Sequence, residues 1–172
     1  MSASEQIATY SSIAWAPDDL IEIRPLQPWQ GARVWTLARD MPGHVDRMLS
    51  ENERGANIFA GILPRTRDGG GTADDVDGGR VIWADMDHCD ASNAQSIMDA
   101  LGLPKPSMVV ATGHGAHVFW RMREWTPKAI IHDTVCGLIS FLLDTKEAQK
   151  YIDKSAKDPA RILRLPGFVN HK

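Results

Sequence analysis

The stretch RVIWADMD (80–87) constrains the fold of this chain most, because an uninterrupted β-forming run leads directly into a pair of aspartates. Such a run predicts a buried strand. Side chains two apart on a strand share a face, so the carboxylates of Asp85 and Asp87 should aim at one point while Met86 packs the opposite face. Two charges that close favour a bound cation, for which Mg²⁺ or Mn²⁺ is the natural choice. The alternative reading of such an Asp pair is a turn start or a helix cap.

The composition indicates one soluble globular domain over residues 1–172, with 43% hydrophobic and 24% charged residues. No apolar run approaches the roughly 20 residues of a membrane span. The N-terminal sequence MSASEQIATYSS lacks the basic and apolar regions of a secretory signal. We therefore predict a cytoplasmic protein with no membrane partner, in which Cys89 and Cys136 are free thiols.

The net charge of −3 argues against a nucleic-acid partner, but the charges are unevenly distributed. Seven aspartates and two arginines lie within residues 67–90, whereas seven lysines or arginines and three acidic residues lie within 146–172. An acidic segment that holds cations and a basic segment that binds phosphates suit an enzyme acting on nucleotides. Two solvated loops are the alternative.

Hydrophobic patterning predicts an α+β domain with a mixed or antiparallel sheet flanked by helices. Residues 1–19 are expected to be a loosely ordered lead-in, and the Gly- and Asp-rich residues 64–79 a mobile loop. The predicted strands are 20–26, 56–63, 80–87, 107–112, 116–122 and 151–153. The predicted helices are 28–39, 44–52, a helix capped by Asp90 that runs to Leu101, 127–144, and a short helix that begins at Asp158–Pro159 and carries Arg161 and Arg164.

The segment GHGAHVFW contains two histidines in a predicted hairpin, with glycines where a positive φ is needed. His114 falls in the turn, and His117 shares a strand face with Phe119. A hydrogen-bonded histidine on a half-buried sheet is the simplest alternative. A zinc site that adds Cys89 is disfavoured, because two rings in a turn need not converge.

The C-terminal segment YIDKSAKDPARILRLPGFVNHK combines acidic and basic residues. Asp153 follows an apolar pair, as Asp85 does. Arg161 and Arg164 are three residues apart, so on a helix they would project from the same side. Paired guanidinium groups suit the multidentate recognition of phosphates, although a solvated basic face is also consistent with the pattern.

These segments occur in a familiar order, namely a strand ending in DxD, a Gly-rich turn with GxH, a hydrophobic residue followed by Asp, and R-x-x-R-L-P-G-x-x-N-x-K. In this order the chain resembles the archaeo-eukaryotic primase superfamily, within it the RepB-like and primase–polymerase branches. The resemblance covers residues 56–172, and DPARILRLPGFVNHK is its most specific part. It implies an RRM-like catalytic core and template-directed polymerisation of nucleotides with two Mg²⁺ or Mn²⁺ ions.

The resemblance also implies roles for individual residues. Asp85, Asp87 and Asp153 would be the catalytic metal ligands, with Asp158 as the alternate third ligand; a helix cap before Pro159 is the role we favour for Asp158. The implied nucleotide-binding residues are His117, Arg161, Arg164, Lys172 and the turn residues Gly113, His114 and Gly115. Many relatives have Ser where this chain has Gly115, and the glycine N–H can replace the hydroxyl contact.

We therefore predict a nucleotidyltransferase, a DNA primase–polymerase that joins (d)NTPs to a primer 3′-hydroxyl or an initiating nucleotide. Its expected partners are single-stranded or primed DNA, (d)NTPs, and a helicase or accessory domain. Trp83, Trp120 and Trp125 are candidates for base stacking, with core packing as the alternative. Two other functions stay open: a metal-dependent phosphodiesterase or nuclease, and a non-catalytic replication initiator, which the Asp pair disfavours because it repels phosphate.

Overall fold

The computed structural model describes residues 1–28 and 31–171. Its strands are β1 (Leu20–Pro28), β2 (Val34–Leu37), β3 (Ala56–Gly61), β4 (Gly78–Asp87), β5 (Met108–Ala111), β6 (Gly115–Pro127) and β7 (Ile162–Arg164). The helices are α1 (Ala3–Ala14), α2 (Val45–Glu53), α3 (Ala91–Ala100) and α4 (Lys128–Leu143), with 3₁₀ segments at Ala38–His44 and Ala73–Asp75. The predicted α+β class, with antiparallel sheets flanked by helices, is confirmed.

The chain divides into two compact units, Met1–Asp77 with Ala160–Lys172, and Gly78–Pro159. We call them the sheet-one unit and the sheet-two unit. The first is built on a four-stranded antiparallel sheet in the order β2-β1-β3-β7, and the second on a three-stranded antiparallel sheet in the order β4-β6-β5. The predicted organisation as one domain over 1–172 stays a prediction.

One face of the four-stranded sheet forms the core of the sheet-one unit. Strand alternation places a row of fully or nearly fully buried aliphatic side chains on that face, and α2 packs against β1 and β3. These side chains are Ile21, Ile23, Ile58, Ala60 and Leu163. The opposite face carries the polar side chains of the same strands, among them Glu22 and Arg24.

The expectation of a loosely ordered lead-in at 1–19 is wrong, because residues 3–14 form α1. Ser2 and Glu5 make a reciprocal capping box at its start, in which each side chain accepts a hydrogen bond from the other's backbone N–H. Ile7, Tyr10 and Ala14 are buried on its inner face. Burial raises the pKa of the Tyr10 hydroxyl well above its usual range.

Two further helix predictions in the sheet-one unit are wrong, because the segments pair as strands. Within 28–39, residues Val34–Leu37 form β2 beside β1, and a 3₁₀ segment follows; residues 29 and 30 lie outside the described part. The segment after Asp158–Pro159 forms no helix, and its residues Ile162–Arg164 pair with β3 as β7. In both places hydrogen bonds to a distant strand outweigh a weak local preference for helix.

The Gly- and Asp-rich loop at 64–79 is tied down by hydrogen bonds. The Asp75 carboxylate accepts from the backbone N–H groups of Gly71 and Thr72 and from the Thr72 hydroxyl. These bonds, together with the nearby Arg67 guanidinium, hold the pKa of Asp75 far below its usual range. The Trp35 indole N–H donates to the Gly70 carbonyl at 2.8 Å. The mobility expected for this loop stays a prediction.

The sheet-two unit follows the sequence predictions closely. α3 begins after Asp90, whose carboxylate accepts from the Asn93 backbone N–H. α4 packs against β4 through its apolar stripe, Ile131, Val135, Ile139 and Leu142. β5 and β6 form the predicted hairpin, and Cys89 and Cys136 are free thiols, as expected. No helix in the described part of the chain is long and apolar enough to span a membrane.

Candidate active site

The site begins at the end of β4, where Asp85 and Asp87 flank Met86. Met86 is completely buried, the Asp85 side chain is 14% exposed, and Asp87 is exposed. Strand alternation therefore places both carboxylates on one face and uses Met86 to anchor the strand in the core. This is the arrangement predicted from RVIWADMD.

On one side of β4, His117 of β6 lies directly opposite Asp85. Its Nε2 atom is 3.5 Å from Asp85 Oδ1, and the ring is buried. The ring also stands edge-on to Phe119, at a centroid distance of 6.2 Å. Facing residues of an antiparallel pair share a face, so this imidazole is fixed beside the Asp85 carboxylate.

On the other side of β4, residues 151–153 add a short stretch of pairing through the isolated bridge between Met86 and Ile152. The Asp153 N–H donates to the Asp85 carbonyl at 2.9 Å, and the Asp87 N–H donates to the Tyr151 carbonyl at 2.7 Å. This register places Asp153 opposite Asp85, on the same face. His117, Asp85 and Asp153 therefore form one row across three neighbouring extended segments.

The Asp153 carboxylate is oriented by Ser155. Its Oδ1 atom accepts from the Ser155 backbone N–H at 2.8 Å and from the Ser155 hydroxyl at 2.7 Å. The sequence analysis did not single out Ser155, although an Asp followed two residues later by Ser is a common turn pattern.

His88 is a second residue that the sequence analysis missed. It follows Asp87 directly and adopts a positive φ of 56°, which is uncommon for a residue with a side chain. Its N–H donates to the His114 carbonyl at 2.7 Å, which ties the end of β4 to the hairpin turn. No sequence signal marks such a conformation in a histidine.

The aspartates suit a hard divalent cation by their chemistry, since carboxylate oxygens are the preferred ligands of Mg²⁺ and Mn²⁺. Within residues 1–28 and 31–171, however, no three His, Cys, Asp or Glu side chains form a group that could hold a metal ion. Asp85, Asp87 and Asp153 thus share a face without forming a closed set of ligands, and the metal site stays a prediction.

The hairpin turn brings its backbone close to β4. Gly113 has a φ of 84°, and Gly115 lies opposite Asp87. A Cβ atom at Gly115 would lie 2.1 Å from the Met86 carbonyl oxygen. The backbone itself therefore excludes a side chain at this position.

Asp158 is exposed, and the helix it was expected to cap does not form. The cap role is therefore wrong. The alternative, in which Asp158 replaces Asp153 as the third metal ligand, stays untested.

Arg161 and Arg164 belong to the sheet-one unit. Arg164 on β7 is buried; it donates to Asn57 Oδ1 at 2.6 Å and lies 4.8 Å from the centre of the Phe59 ring. Burial lowers the pKa of its guanidinium group. Because no helix forms here, the helical spacing that would place Arg161 and Arg164 on the same side does not apply, and their pairing stays a prediction. Lys172 lies outside the described residues.

Two of the three candidate stacking tryptophans are core residues. Trp83 is fully buried and donates its indole N–H to the Ala156 carbonyl, and Trp120 is 8% exposed and donates to the Pro104 carbonyl. Trp125 is 47% exposed.

The two antiparallel sheets and their flanking helices define an archaeo-eukaryotic primase-type fold, which three solved structures share. The chain is similar to the AEP domain of the cyanophage S-2L primase–polymerase, with a TM-score of 0.72 and 19% identity over 94% of this chain and 80% of that one. It is also similar to the catalytic domain of primase RepB′ in complex with initiator DNA, with a TM-score of 0.66 and 14% identity over 99% and 79%.

A further structure of primase RepB′ gives a TM-score of 0.71 and 15% identity over 98% of this chain, which spans 51% of that one. No protein-family model and no curated protein matches the chain by sequence. At sequence identities of 14% to 19%, the similarity to these structures establishes the fold alone.

Proposed function

We propose that this chain is a template-directed DNA primase–polymerase that transfers nucleotides from (d)NTPs to a primer 3′-hydroxyl or an initiating nucleotide. The supporting observation is the row of His117, Asp85 and Asp153 on adjoining extended segments, with Asp87 on the same face. Within a primase-type fold, that row is a natural position for phosphoryl-transfer chemistry. DNA as template and (d)NTPs as substrates are part of the proposal.

In this proposal Asp85, Asp87 and Asp153 hold two Mg²⁺ or Mn²⁺ ions. When bound, such ions activate the attacking hydroxyl and neutralise charge on the phosphates. The protein orients these carboxylates. Buried Met86 anchors the β4 strand between Asp85 and Asp87, and Ser155 holds the Asp153 carboxylate by two hydrogen bonds. A fixed ligand loses little freedom when the cation arrives.

His117 is proposed to contact the phosphates of the incoming nucleotide. Burial among β-sheet side chains restricts its ring to one position, with Nε2 3.5 Å from Asp85 Oδ1. The N–H groups of Gly113, His114 and Gly115 are proposed as further donors at the turn.

Arg161, Arg164 and Lys172 are proposed as triphosphate ligands on the strength of the resemblance and their charge. Arg164 also bonds to Asn57, so its replacement would disturb the sheet as well as any phosphate contact.

The first experiment replaces Asp85 and Asp87 together by asparagine. Asparagine keeps the shape but removes the charge, so primer extension with Mn²⁺ should fall by at least about 100-fold, as expected when several kcal/mol of charge stabilisation are lost. The matched control is Asp99→Asn, an exposed aspartate on α3 whose carboxylate accepts a hydrogen bond from Gln95 Nε2. Extension of a labelled primer on a DNA template is measured on a gel.

Undiminished extension by the double variant, with the control also active, would show that these carboxylates are not catalytic. Shortening of the labelled strand by the wild-type protein would indicate a nuclease instead.

A further inference from the structure

The sheet-one unit contains a second charged cluster, built from Glu22, Arg24, Arg33 and Arg65, which we call the Glu22 cluster. Glu22 lies on β1 and is completely buried, as is the Arg65 side chain. Arg65 donates two hydrogen bonds to Glu22 Oε2, at 3.1 and 3.0 Å, and others to the carbonyls of Leu63 and Ala160. Arg65 thus holds one carboxylate oxygen of Glu22 with two charge-assisted hydrogen bonds, which stabilise the fold.

The remaining oxygen of Glu22 is shared by two further arginines. Arg24 donates to Oε1 through Nε at 2.8 Å and through Nη2, and Arg33 Nη1 lies 3.6 Å from the same atom. The cluster therefore sets three positive charges against one negative charge, a net charge of +2. Arg24 and Arg33 form no other ion pair within residues 1–28 and 31–171.

The two arginines differ from Arg65 in their access to solvent. The Arg24 side chain is 17% exposed and that of Arg33 is 48% exposed, whereas Arg65 is fully buried. Partly buried charges are costly without a partner, so the excess charge favours binding of an anion at this exposed side of the cluster. Asp75, an acid of the adjoining loop, is already paired with Arg67 at 2.8 Å.

The backbone of Gly71 in the adjoining loop lies close to the guanidinium groups of Arg24 and Arg33. A Cβ atom at Gly71 would lie 3.1 Å from Arg24 Nη2 and 3.3 Å from Arg33 Nη1, so a side chain would crowd both guanidinium groups. Hydrogen bonds from Trp35 to the Gly70 carbonyl and from the Gly71 N–H to Asp75 hold the loop there. Glycine at 71 therefore lets the loop pass this close to both arginines.

Aromatic rings stand beside the charges on the same sheet. Trp35 of β2 lies opposite Glu22, and Phe59 of β3 lies opposite Arg24. Both rings are half-buried, and the Arg164 guanidinium lies 4.8 Å from the centre of the Phe59 ring. Guanidinium groups interleaved with aromatic rings are typical of surfaces that bind single-stranded nucleic acid, where cations contact phosphates and rings stack on bases.

We propose that Arg24 and Arg33 bind a phosphate group of the DNA strand. This site rests on the proposed function for the identity of its ligand. Two guanidinium groups match the oxygens of one phosphodiester, and the net charge of +2 is more than sufficient to neutralise it.

The test replaces Arg33 by glutamine, because Arg33 is half-exposed and its loss leaves the Glu22–Arg65 pair intact. Binding of a labelled single-stranded oligonucleotide is measured by fluorescence anisotropy at several salt concentrations, in EDTA and without nucleotides. Affinity should fall by about threefold to tenfold at low salt, and the slope of log K against log salt should decrease by about 0.7, as for one lost phosphate contact on single-stranded DNA.

Arg39→Gln is the matched control, since Arg39 belongs to the same unit, is 53% exposed and carries the same charge in an ion pair with Asp18. It should leave the DNA affinity and the salt slope unchanged.

An unchanged salt slope for Arg33→Gln, or an equal loss of DNA affinity in both variants, overturns the proposed site. An altered KM for dNTP with unchanged DNA affinity also overturns it and assigns the arginines to the nucleotide. DNA binding is measured here without catalysis. Its outcome therefore tests the Arg24 and Arg33 site even if the protein fails the primer-extension assay.

Discussion

Gly115 shows how one absent side chain determines the local geometry of the candidate site. Its Cα lies so close to β4 that a Cβ would collide with the Met86 carbonyl oxygen, 2.1 Å away. The same approach places Gly115 opposite Asp87 and His117 opposite Asp85. The sequence marked Gly115 as a turn residue, and the backbone contact gives the reason for glycine there.

Replacing Gly115 by alanine should therefore destabilise the protein by about 1–3 kcal/mol, the usual cost of overpacking, because β4 and β6 must move apart. Urea unfolding followed by circular dichroism measures the free energy of unfolding. Gly137→Ala on α4 is the control, since nothing lies within 4 Å of its added Cβ, and a helical Gly→Ala change should stabilise by up to about 1 kcal/mol. Equal stability of Gly115→Ala and wild type would contradict the predicted collision.

At the scale of elements, the sequence predicted those whose signal is local and long. β4, the β5–β6 hairpin, α3 and α4 each repeat their apolar pattern over several residues, and all formed as predicted. β2 and β7 have four and three residues, too few to show a period. Their extended conformation comes from pairing with β1 and β3, which no local pattern reveals.

α1 is a different case, because its signals were present in the sequence. Ser2 and Glu5 have the spacing of a capping box, and Ile7, Tyr10 and Ala14 have the spacing of one helix face. The expectation of a loose lead-in overlooked both patterns.

Ile7→Ala should consequently lower the free energy of unfolding by about 2–5 kcal/mol, as for other fully buried aliphatic side chains. Thr9→Ala, at an exposed position of the same helix, should change it by no more than about 0.5 kcal/mol. Thermal and urea unfolding of both variants compare the two values. If Ile7→Ala is as stable as Thr9→Ala, α1 contributes little to the core.

At the scale of the whole molecule, the net charge of −3 is a poor guide to the partner. Acidic groups gather at 67–90, where several are tied up in turns and caps, while the Glu22 cluster concentrates positive charge elsewhere in the chain. Under the proposed function, we expect the protein to bind DNA through local concentrations of positive charge. Its affinity for DNA should then fall steeply as the salt concentration rises.

The intact protein, offered a bare single-stranded template, Mn²⁺ and either dNTPs or NTPs, should produce strands complementary to the template. The template base selects the incoming nucleotide by pairing, so omission of one nucleotide should stop products at the matching template position. Product lengths on a sequencing gel measure this. Products that ignore the template sequence would contradict template-directed synthesis, and binding of duplex DNA without any product would favour a replication initiator.

The sequence by itself determined the α+β class, the strand that ends in Asp85 and Asp87, the hairpin that carries His117 and the cap at Asp90, because each depends on neighbours a few residues away. The resemblance to primases added Asp153, but only strand pairing brings Asp153 and His117 to either side of Asp85. The tertiary structure alone decided that Arg164 is buried in a strand and that three arginines converge on Glu22. Those arrangements depend on contacts between segments far apart in the chain, which local periodicity does not encode.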